Sequence, residues 1–220
     1  MFGRRKRSAA GAADDAGTPG AADDTAGAAP SQGPWDAADV DLADPETPRV
    51  DLGSLLVSGT EGLELRLQAD QASGVVTAVV LAAPDGAVEL RAFAAPKSGG
   101  LWAELRREIG AEATRLGGTV DEDAGGFGPQ LRLRVPVKAA DGRSGVQVSR
   151  VVGVEGPRWL LRATFLGAAA QGTDPEDPLE RAVRAVVVVR GASPMSPRDP
   201  LPLRLPPDTE AASVDGEPLA

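Results

Sequence analysis

The run LELRLQADQASGVVTAVVLAAPDGAVELRAFA, residues 63–94, decides the fold. Leu63, Leu65 and Leu67 alternate with Glu64 and Arg66, the two-residue period of a strand with one wet face. Val75 to Leu81 is a continuous run that is apolar apart from Thr77, the pattern of a central strand. Pro84-Asp85-Gly86 supplies a turn, because Asp-Gly accepts the backbone angles of a tight hairpin. Val88, Leu90 and Ala92 then alternate with Glu89, Arg91 and Phe93. These two strands are expected to pair antiparallel.

Downstream, the period changes. Trp102, Leu105, Ile109, Ala113 and Leu116 fall at spacings of three and four, which predicts a helix. Glu104 with Arg107, and Glu112 with Arg115, sit on its wet side. Ser98 is the expected cap and Gly117-Gly118 the expected stop. Further strands are expected at Thr119–Asp121, Gln130–Val137, Val146–Val154 and Arg158–Leu166, with turns at Asp141-Gly142 and Glu155-Gly156-Pro157. Asp174-Pro175-Glu176 opens a second helix through Leu179, Ala182 and Val183. Residues 186–189 are four valines, read as a short final strand with a helix end as the alternative. The fold class is therefore α+β: a single antiparallel sheet of about six to seven strands packed on two helices, over residues 53–190.

Around that domain the composition shifts. Residues 1–33 and 208–220 have almost nothing to bury and are expected to be disordered tails. Residues 34–52 form an acidic segment with Trp35 as a candidate docking anchor. Residues 191–207 are an extended Pro-rich segment. The chain has 220 residues, net charge −9, and no His, Cys or Tyr. Without imidazole or thiol, the common general bases, nucleophiles and zinc ligands are missing. No run is long enough to span a membrane. The basic start, Arg4 to Arg7, lacks the apolar segment of a secretory signal. A cytoplasmic protein is expected.

The remaining motifs are weak. Asp121-Glu122-Asp123 lacks the later acidic ligand of a calcium loop, since Arg132 stands there. Gly125-Gly126-Phe127-Gly128 leads into Pro129 and a strand, so no phosphate-loop pattern is satisfied. Lys97, Ser98, Gly99 and Gly100 precede a helix whose N–H groups could receive an anion, with Arg158 as a candidate helper. If all leucines and valines share one sheet face, Arg66, Arg91, Arg132, Arg134 and Arg162 share the other. Five guanidiniums there would suit phosphates or an acidic segment, including residues 36–51 of this chain.

Several words also occur together: Gly33-Pro34-Trp35-Asp36, Arg49-Val50-Asp51-Leu52-Gly53-Ser54-Leu55, Pro96-Lys97-Ser98-Gly99-Gly100-Leu101-Trp102, Gly156-Pro157-Arg158-Trp159, and the stretch from Pro194 to Leu203. In this order, over residues 33–207, they resemble an actinobacterial domain-of-unknown-function family, number 3710. The resemblance implies no catalytic residue or cofactor, and it hints at a nucleotide or nucleic-acid context. It also implies that Trp35 and the Pro194–Pro202 segment pack on the domain. The expectation is a non-enzymatic interaction or accessory protein that binds another protein and uses no cofactor or metal. The alternatives are a phosphate-ligand or nucleotide-binding module, and a nucleic-acid-associated protein using the arginine-bearing sheet face.

Overall fold

The structure is a computed structural model that describes residues 32–138 and 142–206. The tails expected at either end lie outside the described residues, apart from residues 32 and 33. In chain order the elements are β1 (Trp35–Asp36), β2 (Arg49–Asp51), β3 (Leu55–Ser58), β4 (Glu64–Ala69), β5 (Val76–Ala82), β6 (Gly86–Ala94), α1 (Leu101–Arg115), β7 (Thr119–Gly125), β8 (Gly128–Lys138), β9 (Ser144–Gly156), β10 (Trp159–Gly167), α2 (Pro178–Ala185) and β11 (Val187–Val188).

The fold is mostly β with two helices, and it has two sheets where one was expected. The larger is antiparallel with strand order β4-β5-β6-β10-β9-β8-β7. The smaller has the order β1-β11-β3-β2. Its strands are two to four residues long. Such pieces are too short to display a period, which is why the sequence revealed only the valine run at 186–189 among them. Residues 186–189 do supply a strand, but only Val187 and Val188 pair, against Trp35–Asp36 and Leu55–Leu56.

The larger sheet buries each face in a different half. On one face, Val79, Leu81, Val88, Leu90, Leu161 and Phe165 share a core with Leu55, Val57 and Val188 of the smaller sheet and Leu179 and Val183 of α2. On the other, Leu131, Leu133, Val151 and Leu160 pack with Leu101, Trp102 and Ala113 of α1. Sheet register fixes this split, because directly paired residues point the same way. Leu131 is opposite Val151, one step from Arg132 opposite Arg150.

The helix starts differ from expectation. The α1 cap is Gly100 at φ 88°, which has no side chain of its own to cap the helix, so Ser98 is not the cap. Helix α2 begins at Pro178, after Asp177, whose carboxylate accepts from the N–H groups of Leu179 and Glu180. Proline fits there because the first helical N–H has no partner to lose.

The Pro-rich C-terminal segment is a strap between the sheets. Arg198 and Leu201 donate backbone bonds to Ala94 and Ala92 of β6, and Ala94 donates to Asp199. Farther on, Ser54 donates to Pro202, and Arg204 to Leu52. The Arg198 guanidinium reaches Glu104 and Glu108 of α1 at 2.9 and 2.8 Å. Leu201 is buried in the main core.

Candidate functional site

The structure separates the five arginines expected on one face. Arg162 lies directly opposite Arg91 in the β10–β6 pairing, and Arg66 joins their face through Val80 and Glu89. Arg132 and Arg134 are on the opposite face, because the leucines of β8 turn toward α1. Arg132 reaches Asp123 at 3.0 Å and the carbonyls of Ala170 and Gln171. The premise of one shared apolar face was the error, since β8 presents its leucines to the other core.

The Arg91–Arg162 pair lies beyond the part of the face covered by α1. Its only close carboxylate among the described residues is Glu89, at 2.7 Å from Arg91 and 3.7 Å from Arg162. Gln68 accepts a bond from Arg91 at 3.2 Å. The Arg162 guanidinium lies 5.5 Å from the Phe93 ring centroid, within the range of a cation–π contact. Its Nε is buried without an acceptor among the described residues, although the side chain is 24% exposed. Burial pushes Arg162 down from the usual arginine range; Arg91 adds to that push and Glu89 opposes it. The patch can therefore accept an anionic group beside a flat apolar ring.

The acidic segment does not cover this patch. Asp36 and Asp51 belong to the smaller sheet, and Asp36, Asp41 and Asp44 accept backbone bonds from residues two positions on. Trp35 is held by its own backbone, donating to Val186 at 2.9 Å while pairing with Val187. It is half-buried.

At Lys97, Ser98, Gly99 and Gly100, the N-terminal end of α1 already holds a carboxylate. Glu155 accepts from the Gly100 N–H at 3.1 Å and the Trp102 N–H at 2.9 Å. An internal anion thus takes the place proposed for a ligand. Arg158 stands in the β9–β10 turn at φ 63°, with its carbonyl accepting from Ala95 and from the Arg190 side chain.

Sequence reasoning missed a buried ionic group. Arg150 is 1% exposed and ion-paired with Glu180, itself 3% exposed. Glu180 also pairs with Arg184 at 3.2 Å. Arg150 lies 3.9 Å over Phe165 and Arg184 4.5 Å over Phe127, while the two rings stack at 6.4 Å. The available signal was a lone arginine inside the apolar stretch Val146–Val154. A cavity of about 360 Å³ adjoins this group. Arg150 and Glu180 spend their charges on each other, so the geometry reads as a structural clamp between sheet and α2.

Among the described residues, no helix is long and apolar enough to cross a membrane. A comparison with curated proteins finds no match. The solution structure of cyanobacterial PsbP (CyanoP) from Synechocystis sp. PCC 6803 is similar at 11% identity with a TM-score of 0.35, covering 68% of this chain and 96% of that one. At that level the likeness carries no functional argument. A family model described as "Protein of unknown function (DUF3710)" matches residues 33–212, which include the smaller sheet, the larger sheet and the strap. The chain belongs to the DUF3710 family.

Proposed function

We propose that this protein is a non-enzymatic accessory module that recognises an acidic segment of a partner protein through Arg91, Arg162 and Phe93. One observation carries the reading: two guanidiniums stand directly opposite each other and share a single close carboxylate. Like charges in that arrangement oppose pairing, and an incoming carboxylate at the exposed ends of the guanidiniums relieves the repulsion. The composition supports recognition over turnover, since the chain has no His, Cys or Tyr. Glu155 at the start of α1 weighs against the phosphate-ligand reading. A single aromatic ring beside the arginines weighs against base stacking by nucleic acid.

Titration with a fluorescent poly-glutamate peptide provides the test. Wild-type protein is expected to bind it with a salt-sensitive affinity, and the double variant Arg91→Ser/Arg162→Ser to lose that binding while keeping its fold. Equal binding by both proteins would remove the patch from consideration.

A further inference from the structure

We propose that β4 is a self-association edge, on which a second copy of this chain pairs antiparallel about Leu65. The inference is independent of the arginine patch. Among the described residues, β4 ends the larger sheet and pairs with β5 on one side only. Along a terminal strand, alternate backbone N–H and C=O groups face outward and are open to another strand. Proteins usually guard such edges with proline, lysine or clustered charge. The opposite edge, β7, carries Asp121, Glu122 and Asp123. Residues Glu64–Ala69 have no proline or lysine, and their two charges cancel. The sole irregularity in the pairing of β4 is a register shift between Gln68 and Ala69.

The apolar side points the same way. Leu63, Leu65 and Leu67 pack against the main core but are only partly buried. A further strand would complete their cover, as β5 does for Leu81 on its own inner side.

Residue order selects both the occupant and the register. With two antiparallel copies centred on Leu65, Leu65 meets Leu65, Leu63 meets Leu67, and each Glu64 meets the other copy's Arg66. Every paired residue keeps its face, so the leucines stay on the core side. Shifting the centre to Arg66 or Glu64 would set like charges directly against each other, which disfavours those registers. In the single chain Glu64 and Arg66 pair along the strand at 2.7 Å, with side chains 64% and 56% exposed. Exchange between copies preserves the same contact chemistry across the interface. One short edge buries little area, so the association is weak and concentration-dependent.

Sedimentation of the full chain from low micromolar to several hundred micromolar should show a reversible monomer–dimer equilibrium. Glu64→Arg and Arg66→Glu should each weaken it by about tenfold or more, because each brings like charges together twice by symmetry. The combined swap should return the dissociation constant to within about threefold of wild type, since it restores both cross-strand pairs. Leu65→Cys, in a chain without cysteine, should give a disulfide-linked dimer on mild oxidation, while the exposed control Val75→Cys should not. A protein that stays monomeric throughout overturns the proposal. So does a dimer indifferent to both single substitutions, one not rescued by the double swap, or a Leu65→Cys chain that fails to cross-link.

Discussion

The Asp36 carboxylate accepts a hydrogen bond from the indole N–H of Trp159 at 2.6 Å, joining positions 123 residues apart. Trp159 is 1% exposed in the main core, and Asp36 sits in β1, beside β11. One bond thus ties the N-terminal strand of the smaller sheet to the first residue of β10 in the larger.

Asp36→Ala leaves a buried indole donor without its partner. The expected loss is about 1–3 kcal/mol in urea unfolding, the cost of an unsatisfied buried donor. The emission spectrum of Trp159 should shift as well. Unchanged stability would mean that water replaces the carboxylate without penalty.

Glu180 holds two arginines, one of them almost fully buried. Glu180→Gln is expected to cost about 3–5 kcal/mol, because Arg150 then keeps its charge in the interior with no counter-ion. The double change Arg150→Met/Glu180→Leu should recover most of that loss, since apolar replacement removes the desolvation cost. Denaturant midpoints of the three proteins check this ordering.

Glu155→Ala empties the carboxylate position at the start of α1. The expected destabilisation is about 1–2 kcal/mol, from lost charge-assisted bonds and a lost charge at the helix N-terminus. Added sulfate should raise the melting temperature of this variant more than that of wild type. An identical sulfate response would argue that Glu155 does not occupy an anion position.

Gly153 lies beneath the Trp102 ring: a β-carbon built there would fall 2.3 Å from a ring carbon. The indole is also fixed by a 2.8 Å bond to the Pro129 carbonyl. Gly153→Ala therefore has to displace α1 or the ring, at an expected cost of about 1–3 kcal/mol. Near-ultraviolet circular dichroism should show the altered tryptophan packing.

Acid should weaken the fold through carboxylates whose ionised form it favours. The Arg132 side chain bonded to Asp123 holds that carboxyl below its ordinary value, and the Gly53 N–H does the same for Asp51. With the folded-state pKa lowered, stabilisation is present above the unfolded pKa of about 4 and is lost as pH falls through the folded value. Asp123→Asn should lower stability at neutral pH and flatten the acid slope, as measured by thermal melts across the acid range.

Local pattern was sufficient where a long element met one environment. Alternation over 63–67 and 88–93, the turn at Asp85-Gly86 and the three-four spacing from Trp102 to Ala113 each correspond to β4, β6 and α1. The smaller sheet and the separation of the arginines did not follow from those signals. In β8, Leu131 and Arg132 alternate as expected, but alternation names two faces without saying which face meets which neighbour. Likewise, Ser98 had the chemistry of a cap, while Glu155, distant in sequence, supplied the carboxylate.

From residue order alone came the α+β class, the main strands and α1, because hydrophobic period and turn chemistry act over a few neighbours. Tertiary structure alone decided the second sheet, the pairing of Arg91 with Arg162, the burial of Arg150 with Glu180 and the route of the strap. Each joins segments dozens of residues apart. Their energies depend on which surfaces meet, and no local pattern encodes that choice.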